Sequence, residues 1–336
     1  MGSGGRISTL SLERGYARIS SAMISPVFEI GAVRDVPGYG TLHLASRRGE
    51  PEKWFEFLDC LDPPHPREKK WVVMISSQFG CAVGCRFCDA GHHGYRGNLT
   101  VEELLGQVRY ALSLHPELDP ASVPKLKVHF ARMGEPSLNR AVLRALEHLG
   151  RPGRLPGLIP SLSSVAPRCP QSRGFFDELI RVKDGLYGGG RFQLQFSVHS
   201  TDEEARASLI PVRKWGLAEI AEYGKRWFKP GDRLVTLNFA LHDSAPFDPA
   251  VVERTFPQDR FLVKFTAVHT TQRAQEHSLT NVWYEAPSRV AGLGEDLRRR
   301  GYQVIINPSW PQEIESGLSC GQLASSVADA SLAAVA

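Results

Sequence analysis

Hydrophobic and polar positions along the chain fall into two alternating periods. Short runs dense in Val, Ile, Leu and Phe read as buried strands: Trp71–Ser76 (WVVMIS), Leu126–Ala131 (LKVHFA), Ile159–Ser163 (IPSLS), Gln193–Val198 (QLQFSV), Leu234–Leu241 (LVTLNFAL) and Phe261–Ala267 (FLVKFTA). Between them apolar residues recur every three or four positions, as helices require. One helix is predicted to open at Thr100, where Glu103 completes a capping-box pattern and Leu104, Leu105, Val108 and Leu112 follow. Others follow Asn139 (VLRALEHL), span Phe175–Val182 and Leu217–Phe228, and cover Val290–Arg300, with Gly301 as the stop.

Strand–helix alternation of this kind predicts parallel βαβ units. Six of them predict an α/β fold, a partial (β/α)6 TIM-like barrel with its chemistry on the loops after the strands. Residues 1–70 read as a small N-terminal β extension packed on the barrel, with β-like pieces at Val27–Ile30 and Gly40–Leu44 and a Pro-rich connection, LDPPHPREKK. The barrel is assigned to 71–325, and the Ala- and Ser-rich residues 326–336 to a frayed tail or a terminal helix.

Composition narrows the class without naming a function. An apolar fraction of 42% with 23% charged residues suits a globular chain with a sizeable core and excludes a disordered or fibrous one. No apolar run approaches the roughly 18 residues of a membrane span, and the opening MGSGGRISTLSLERG has no apolar signal core. A net charge of +4 says little about nucleic acid. The expected compartment is the reducing cytoplasm, where grouped cysteines point to metal or catalysis rather than disulfides.

The strongest chemical signal is CAVGCRFC, which sets Cys81, Cys85 and Cys88 in one loop after the first barrel strand. Three thiolates so spaced converge on one inorganic centre, and thiolates suit iron–sulfur clusters and soft metals. A 4Fe–4S cube needs four ligands, so three cysteines leave one iron open. The competing reading is a structural zinc site completed by His92 or His93, although such sites usually come as two separated ligand pairs.

Cys81-x3-Cys85-x-Phe87-Cys88 resembles the signature of the radical S-adenosylmethionine (SAM) superfamily. SSQFGCAVGCRFCDAG, ARMGEPSLN, SVHSTDEEARASLIPV and SCGQLA further resemble, in order, the RlmN/Cfr family of adenine-methylating RNA methyltransferases. The resemblance runs from about residue 70 to 325. It implies a 4Fe–4S cluster on Cys81, Cys85 and Cys88 whose open iron chelates SAM, and cleavage of SAM to a 5′-deoxyadenosyl radical by an electron from a donor such as flavodoxin or ferredoxin. It implies SAM-binding roles for Phe87, Gly134, Glu135, Ser161, Ser197 and His199, with Ser161, Ser197 and His199 at the ends of the third and fourth strands. His269 stands where the family carries an Asn. Cys320 matches the family's methyl carrier: one SAM methylates its sulfur, and a second yields the radical that takes a hydrogen atom from the S-methyl group, whose carbon then adds to an sp2 carbon.

Two departures set the chain apart. Met74 occupies the place of a cysteine that, in the family, releases the adduct by forming a disulfide with the carrier, and a thioether cannot do so. Cys60 and Cys169 are the candidates to replace it. The family's N-terminal RNA-gripping helical domain has no counterpart in the first 70 residues, and NPSWPQEIESGLS, before Cys320, lacks basic character. Glu56 aligns loosely with a family acid that assists proton removal; read alone, it is as well a solvated surface Glu. These features predict a radical SAM C-methyltransferase acting on a non-RNA small molecule or peptide in specialised biosynthesis. RNA adenine methylation and radical cyclisation or rearrangement without methyl transfer are the alternatives.

Overall fold

The structure, a computed structural model, describes residues 27–153, 155–242, 245–281, 286–308 and 316–333. Three antiparallel strands open it: β1 (Phe28–Val36), β2 (Gly40–Arg47) and β3 (Glu50–Cys60). β4 (Trp71–Ile75) follows, and a small hairpin of β5 (Gln78–Gly80) and β6 (Tyr95–Asn98) encloses the cysteine loop. Helix α1 (Val101–Ser113) precedes β7 (Leu126–Phe130), α2 (Ala141–Leu149) precedes β8 (Leu158–Ser164), and α3 (Pro170–Leu186) precedes β9 (Gln193–Ser197). Then come α4 (Glu203–Leu209), α5 (Leu217–Trp227), β10 (Val235–Leu241), α6 (Pro249–Thr255), β11 (Phe261–Ala267) and α7 (Gln272–Glu276). A helix over Pro287–Arg299, β12 (Val304–Asn307) and a terminal helix over Gln322–Ala333 complete the chain.

Ten strands form one sheet in the order β1-β2-β3-β4-β7-β8-β9-β10-β11-β12. From β4 onward every pairing is parallel, and all six predicted strands lie in this part. The short β12 adds a seventh parallel strand. The N-terminal extension does not pack on the barrel as a separate layer. It continues the same sheet, with Leu58, Asp59 and Cys60 of β3 antiparallel to Met74, Val73 and Val72.

Alternation along the strands sorts the two faces. Trp71, Val73, Ile75, Leu126, Val128, Phe130, Leu194, Phe196, Leu237, Phe239, Val263 and Phe265 enter one core with the helices. The opposite row is polar, and its members bond to one another: the His129 Nε2 and Ser163 Oγ are 2.9 Å apart, Gln195 donates to the same oxygen at 3.0 Å, and Asn238 donates to Thr266 at 3.2 Å. The inner face is largely polar, with Val72, Met74 and Ala240 among its apolar members, and the apolar outer face holds the helices.

The capping box at Thr100 forms as its sequence predicts. Glu103 N–H donates to Thr100 Oγ1 at 3.2 Å, and Thr100 N–H donates to Glu103 Oε2 at 2.7 Å. Arg47 of β2 also donates to this carboxylate, at 2.6 and 2.8 Å, which ties the extension to α1. Thr100→Ala is expected to cost about 1 kcal/mol of stability, the usual worth of an N-cap, read as a lowered denaturant midpoint at unchanged slope.

Candidate active site

The cysteine loop lies between the end of β5 and β6. All three of its cysteines are free thiols, and they pack among apolar side chains: Cys81 and Cys85 against Val83, Val165, Leu209 and Ile210, and Cys88 beside Ala90 and Met133. Burial pushes the Cys81 thiol up to about 11, against hydrogen bonds from the Val83, Gly84 and Gly134 amides. Burial, reinforced by the neighbouring sulfurs, also raises Cys85 and Cys88. Such a trio takes its thiolate form when a cationic centre compensates it.

A second layer braces the loop. Asp89 accepts from the Gln272 and Arg273 amides at 3.1 and 3.0 Å, and Thr271 donates to the Phe87 carbonyl at 3.0 Å. The Arg273 guanidinium donates to the carbonyls of Cys85 and Gly84 at 3.1 and 3.4 Å. These three residues escaped the sequence reading. Only the N-cap pattern of Thr271 and the Asp directly after Cys88 hinted at them.

Beside the loop, Gly134 has φ +100° and passes against Gln78, where a Cβ would lie 2.6 Å from the Gln78 side chain. Gly134→Ala therefore combines a left-handed backbone with a clash, and is expected to lower stability by about 2 kcal/mol, measurable by thermal unfolding. Glu135 follows, fully buried. Its Oε1 accepts from the Ser137 amide at 3.0 Å and from the Ser137 and Ser164 hydroxyls at 2.8 and 2.6 Å, while Oε2 accepts from the Val165 amide at 3.0 Å. Burial raises its pKa despite these donors. One further donor, such as an ammonium, can still be accepted at Oε2.

His199 has φ +67°, and its ring meets that of Phe87 edge-on at 4.8 Å. Its Nδ1 accepts from the Ala240 amide at 3.0 Å, which places the hydrogen on Nε2, and burial lowers its pKa to about 3. The imidazole is thus a neutral donor at neutral pH. Ser197 ends β9 as predicted. Ser161 does not end its strand: β8 runs on to Ser164, so Ser161 sits mid-strand, opposite His129 and Gln193. Ser163 and Ser164 occupy the end instead. The strand is longer than the apolar run because Ser163 and Ser164 find partners in His129, Gln195 and Glu135.

Cys320 arrives from the far end of the sequence. Its sulfur donates to the Ala131 carbonyl at 3.4 Å, and its own carbonyl lies 3.8 Å from the Cys88 sulfur. Gly321, at φ +88°, lies so close to the loop that a Cβ would run into the backbone of Asp89 and Ala90. His269, just past β11, bonds through Nδ1 to the Ser319 hydroxyl. Cluster loop, GEP turn and Cys320 are therefore brought together.

Cys60 pairs with Val72, which pairs with Lys127, four residues before Ala131 on the neighbouring strand, and it lies in the apolar cluster against which Met74, Cys88 and Cys320 pack. Cys169 caps the start of α3. His92 and His93 meet edge-on with ring centres 4.7 Å apart, and His93 meets Trp54 edge-on at 5.5 Å. Among the described residues no group of three or more His, Cys, Asp or Glu is gathered for a single ion. Residues 309–315, part of the stretch of low basicity before Cys320, lie outside the described residues.

Comparison with known proteins gives this arrangement its context. Among models of protein families none matches the chain. The dual-specificity RNA methyltransferase RlmN of Sorangium cellulosum is 30% identical over 252 residues, covering 74% of this chain and 60% of that protein. The probable RlmN of Desulfitobacterium hafniense strain Y51 is 36% identical over 195 residues, 55% of this chain and 51% of its own length. A crystal structure of a radical SAM methyltransferase from Sphaerobacter thermophilus superimposes with a TM-score of 0.68 at 20% identity, over 88% of this chain and 80% of that one. In sequence this chain is similar to the RlmN-type RNA methyltransferases. It spans between about half and two thirds of the length of these curated relatives, and its mixed α/β fold with a parallel sheet matches that of the Sphaerobacter structure.

Radical SAM methyltransferases use a 4Fe–4S cluster and SAM. The residues present fit both. Three half-buried, mutually repelling sulfurs in one braced loop suit a 4Fe–4S cube, and Glu135 and His199 beside the loop, with Ser197 at the end of β9, offer the acceptor and donors that an amino acid and a ribose require. Glu56, in contrast, is no surface residue. It is completely buried and pairs with Arg132 at 2.8 Å. The solvated reading, one of the two that the sequence left open, fails because the partner that buries the charge lies 76 positions away.

Proposed function

We propose that the chain is a radical SAM C-methyltransferase in which Cys320 carries the methyl group. The observation that supports this most is the placement of Cys320, whose carbonyl stands 3.8 Å from the Cys88 sulfur while its own sulfur borders the inner face at Ala131. When bound, the cluster and SAM supply a methyl group and a 5′-deoxyadenosyl radical able to take a hydrogen atom from a thioether methyl. Cys81, Cys85 and Cys88 hold the cluster, and Phe87, Gly134, Glu135, Ser161, Ser197, His199 and His269 hold SAM. Cys320 presents a sulfur that is nucleophilic as thiolate and stabilises an adjacent carbon radical.

The acceptor in this reading is a small molecule or peptide with an unsaturated carbon, and the electron donor a flavodoxin or ferredoxin of the cytoplasm. The curated relatives, named for RNA, weigh toward RNA adenine as acceptor. What weighs against it is the release step: Met74 occupies the place of the family's second cysteine. Among the described residues, no helix is long and apolar enough to cross a membrane. Mass spectrometry after incubation with methyl-labelled SAM tests the carrier role. A labelled Cys320 peptide is expected, and unlabelled Cys320 in protein that cleaves SAM would remove it. Nucleoside digests of RNA incubated in parallel, if they contain methylated adenine, would return the acceptor to RNA.

A further inference from the structure

Glu56 and Arg132 form an ion pair buried almost completely, with side chains 0% and 2% exposed. Buried charges of this kind are costly unless hydrogen bonds compensate them, and here the terminal amines of Arg132 and both oxygens of Glu56 bond to one further target, the Cys320 segment. Arg132 donates to the Leu318 carbonyl at 2.5 Å and to the Ser319 carbonyl at 3.2 Å. Glu56 Oε2 accepts from the Gly321 amide at 2.9 Å and Oε1 from the Ala324 amide at 2.8 Å. The carboxylate thus does, from a distant strand, what a local N-cap does for a helix start, satisfying orphan amides of the terminal helix at its positive end.

Cys320 is the residue enclosed by these bonds, with Leu318 and Ser319 fastened on one side and Gly321 and Ala324 on the other. We infer that Glu56 and Arg132 are positioning residues, a buried clamp that fixes the Cys320 segment against the cluster loop. This rests on the carrier role proposed for Cys320, and it assigns Glu56 a task other than proton removal. Its carboxylate accepts bonds from Arg132, Gly321 and Ala324 and is completely buried, which sets it in the clamp rather than open to a substrate.

Two variants and two kinds of readout test it. Glu56→Gln removes the charge, and Arg132→Lys keeps a charge with fewer donors. In each, two measurements need no cofactor: the rate of iodoacetamide alkylation at Cys320, followed by peptide mass spectrometry, and hydrogen exchange of the Gly321 and Ala324 amides. Glu56→Gln is expected to speed both at least tenfold, and Arg132→Lys by less. In reconstituted enzyme, Cys320 methylation falls at least tenfold in Glu56→Gln while 5′-deoxyadenosine formation stays within threefold of wild type, and Arg132→Lys recovers part of the loss. Unchanged alkylation and exchange in both variants would overturn the clamp. So would a Glu56→Gln enzyme with normal alkylation and normal Cys320 methylation that loses only the product, since that marks a proton acceptor. Should Glu56→Gln fail to fold, the Arg132→Lys results decide alone. If wild-type Cys320 acquires no methyl group, the carrier role falls, and alkylation and exchange still decide whether the segment is clamped.

Discussion

Cys320→Ser is expected to abolish carbon transfer while leaving SAM cleavage within about threefold of wild type. Loss of a nucleophile that works as part of a unit costs several orders of magnitude, so product should fall by at least about a thousandfold. The serine oxygen can still donate to the Ala131 carbonyl, and the Glu56 and Arg132 bonds all reach backbone atoms. The segment should therefore keep its place. What is lost is chemical: an alcohol is a far weaker nucleophile than a thiolate, and oxygen stabilises a neighbouring carbon radical less than sulfur does. Quantifying 5′-deoxyadenosine and methylated product in the same incubation checks the expectation. Retained product would show that the carbon never passes through residue 320.

Cys85→Ser should remove both activities together. Its sulfur lies in an apolar pocket with Val83, Val165, Leu209 and Ile210, where a hydroxyl is a poor ligand for iron and a poorly solvated dipole. Iron retained after reconstitution is expected to fall by about tenfold or more, since changing even the outer partners of metal ligands costs about 10–100-fold in affinity, and 5′-deoxyadenosine should become undetectable. The fold should persist, because Asp89, Thr271 and Arg273 brace the loop through bonds that involve no sulfur. Circular dichroism matching wild type, alongside colourless protein, is the expected pair of results. Full SAM cleavage by this variant would contradict the assignment of the ligand set.

The parallel strands were legible because one row of each points into an apolar core, and rows such as Leu126, Val128 and Phe130 announce themselves. The capping box at Thr100 was legible for a different reason: its partners lie three residues apart, so a local reading captures the interaction. β3 was missed because Glu56 and Asp59 interrupt its apolar run at fully buried positions. Asp59 is satisfied by the Trp71 indole at 2.6 Å and by Arg67 at 2.8 Å, and Glu56 by Arg132 and the terminal segment. Such residues look solvent-facing until the partners that later parts of the chain deliver are known.

The site shows the same division. Cys81, Cys85, Cys88 and Gly134 could be read from spacing and resemblance, since each is fixed by its own loop. The brace formed by Thr271 and Arg273 and the clamp on Cys320 depend on which loops the barrel brings to one end. The seventh strand, Val304–Asn307, is four residues long and half-buried, too short for its pattern to stand out.

The most direct test is reconstitution of the wild-type chain with iron and sulfide under anaerobic conditions, followed by SAM and a strong reductant. The account predicts brown protein with about four irons per chain and steady formation of 5′-deoxyadenosine. Colourless protein that holds zinc, or iron-loaded protein that leaves SAM intact, would contradict it.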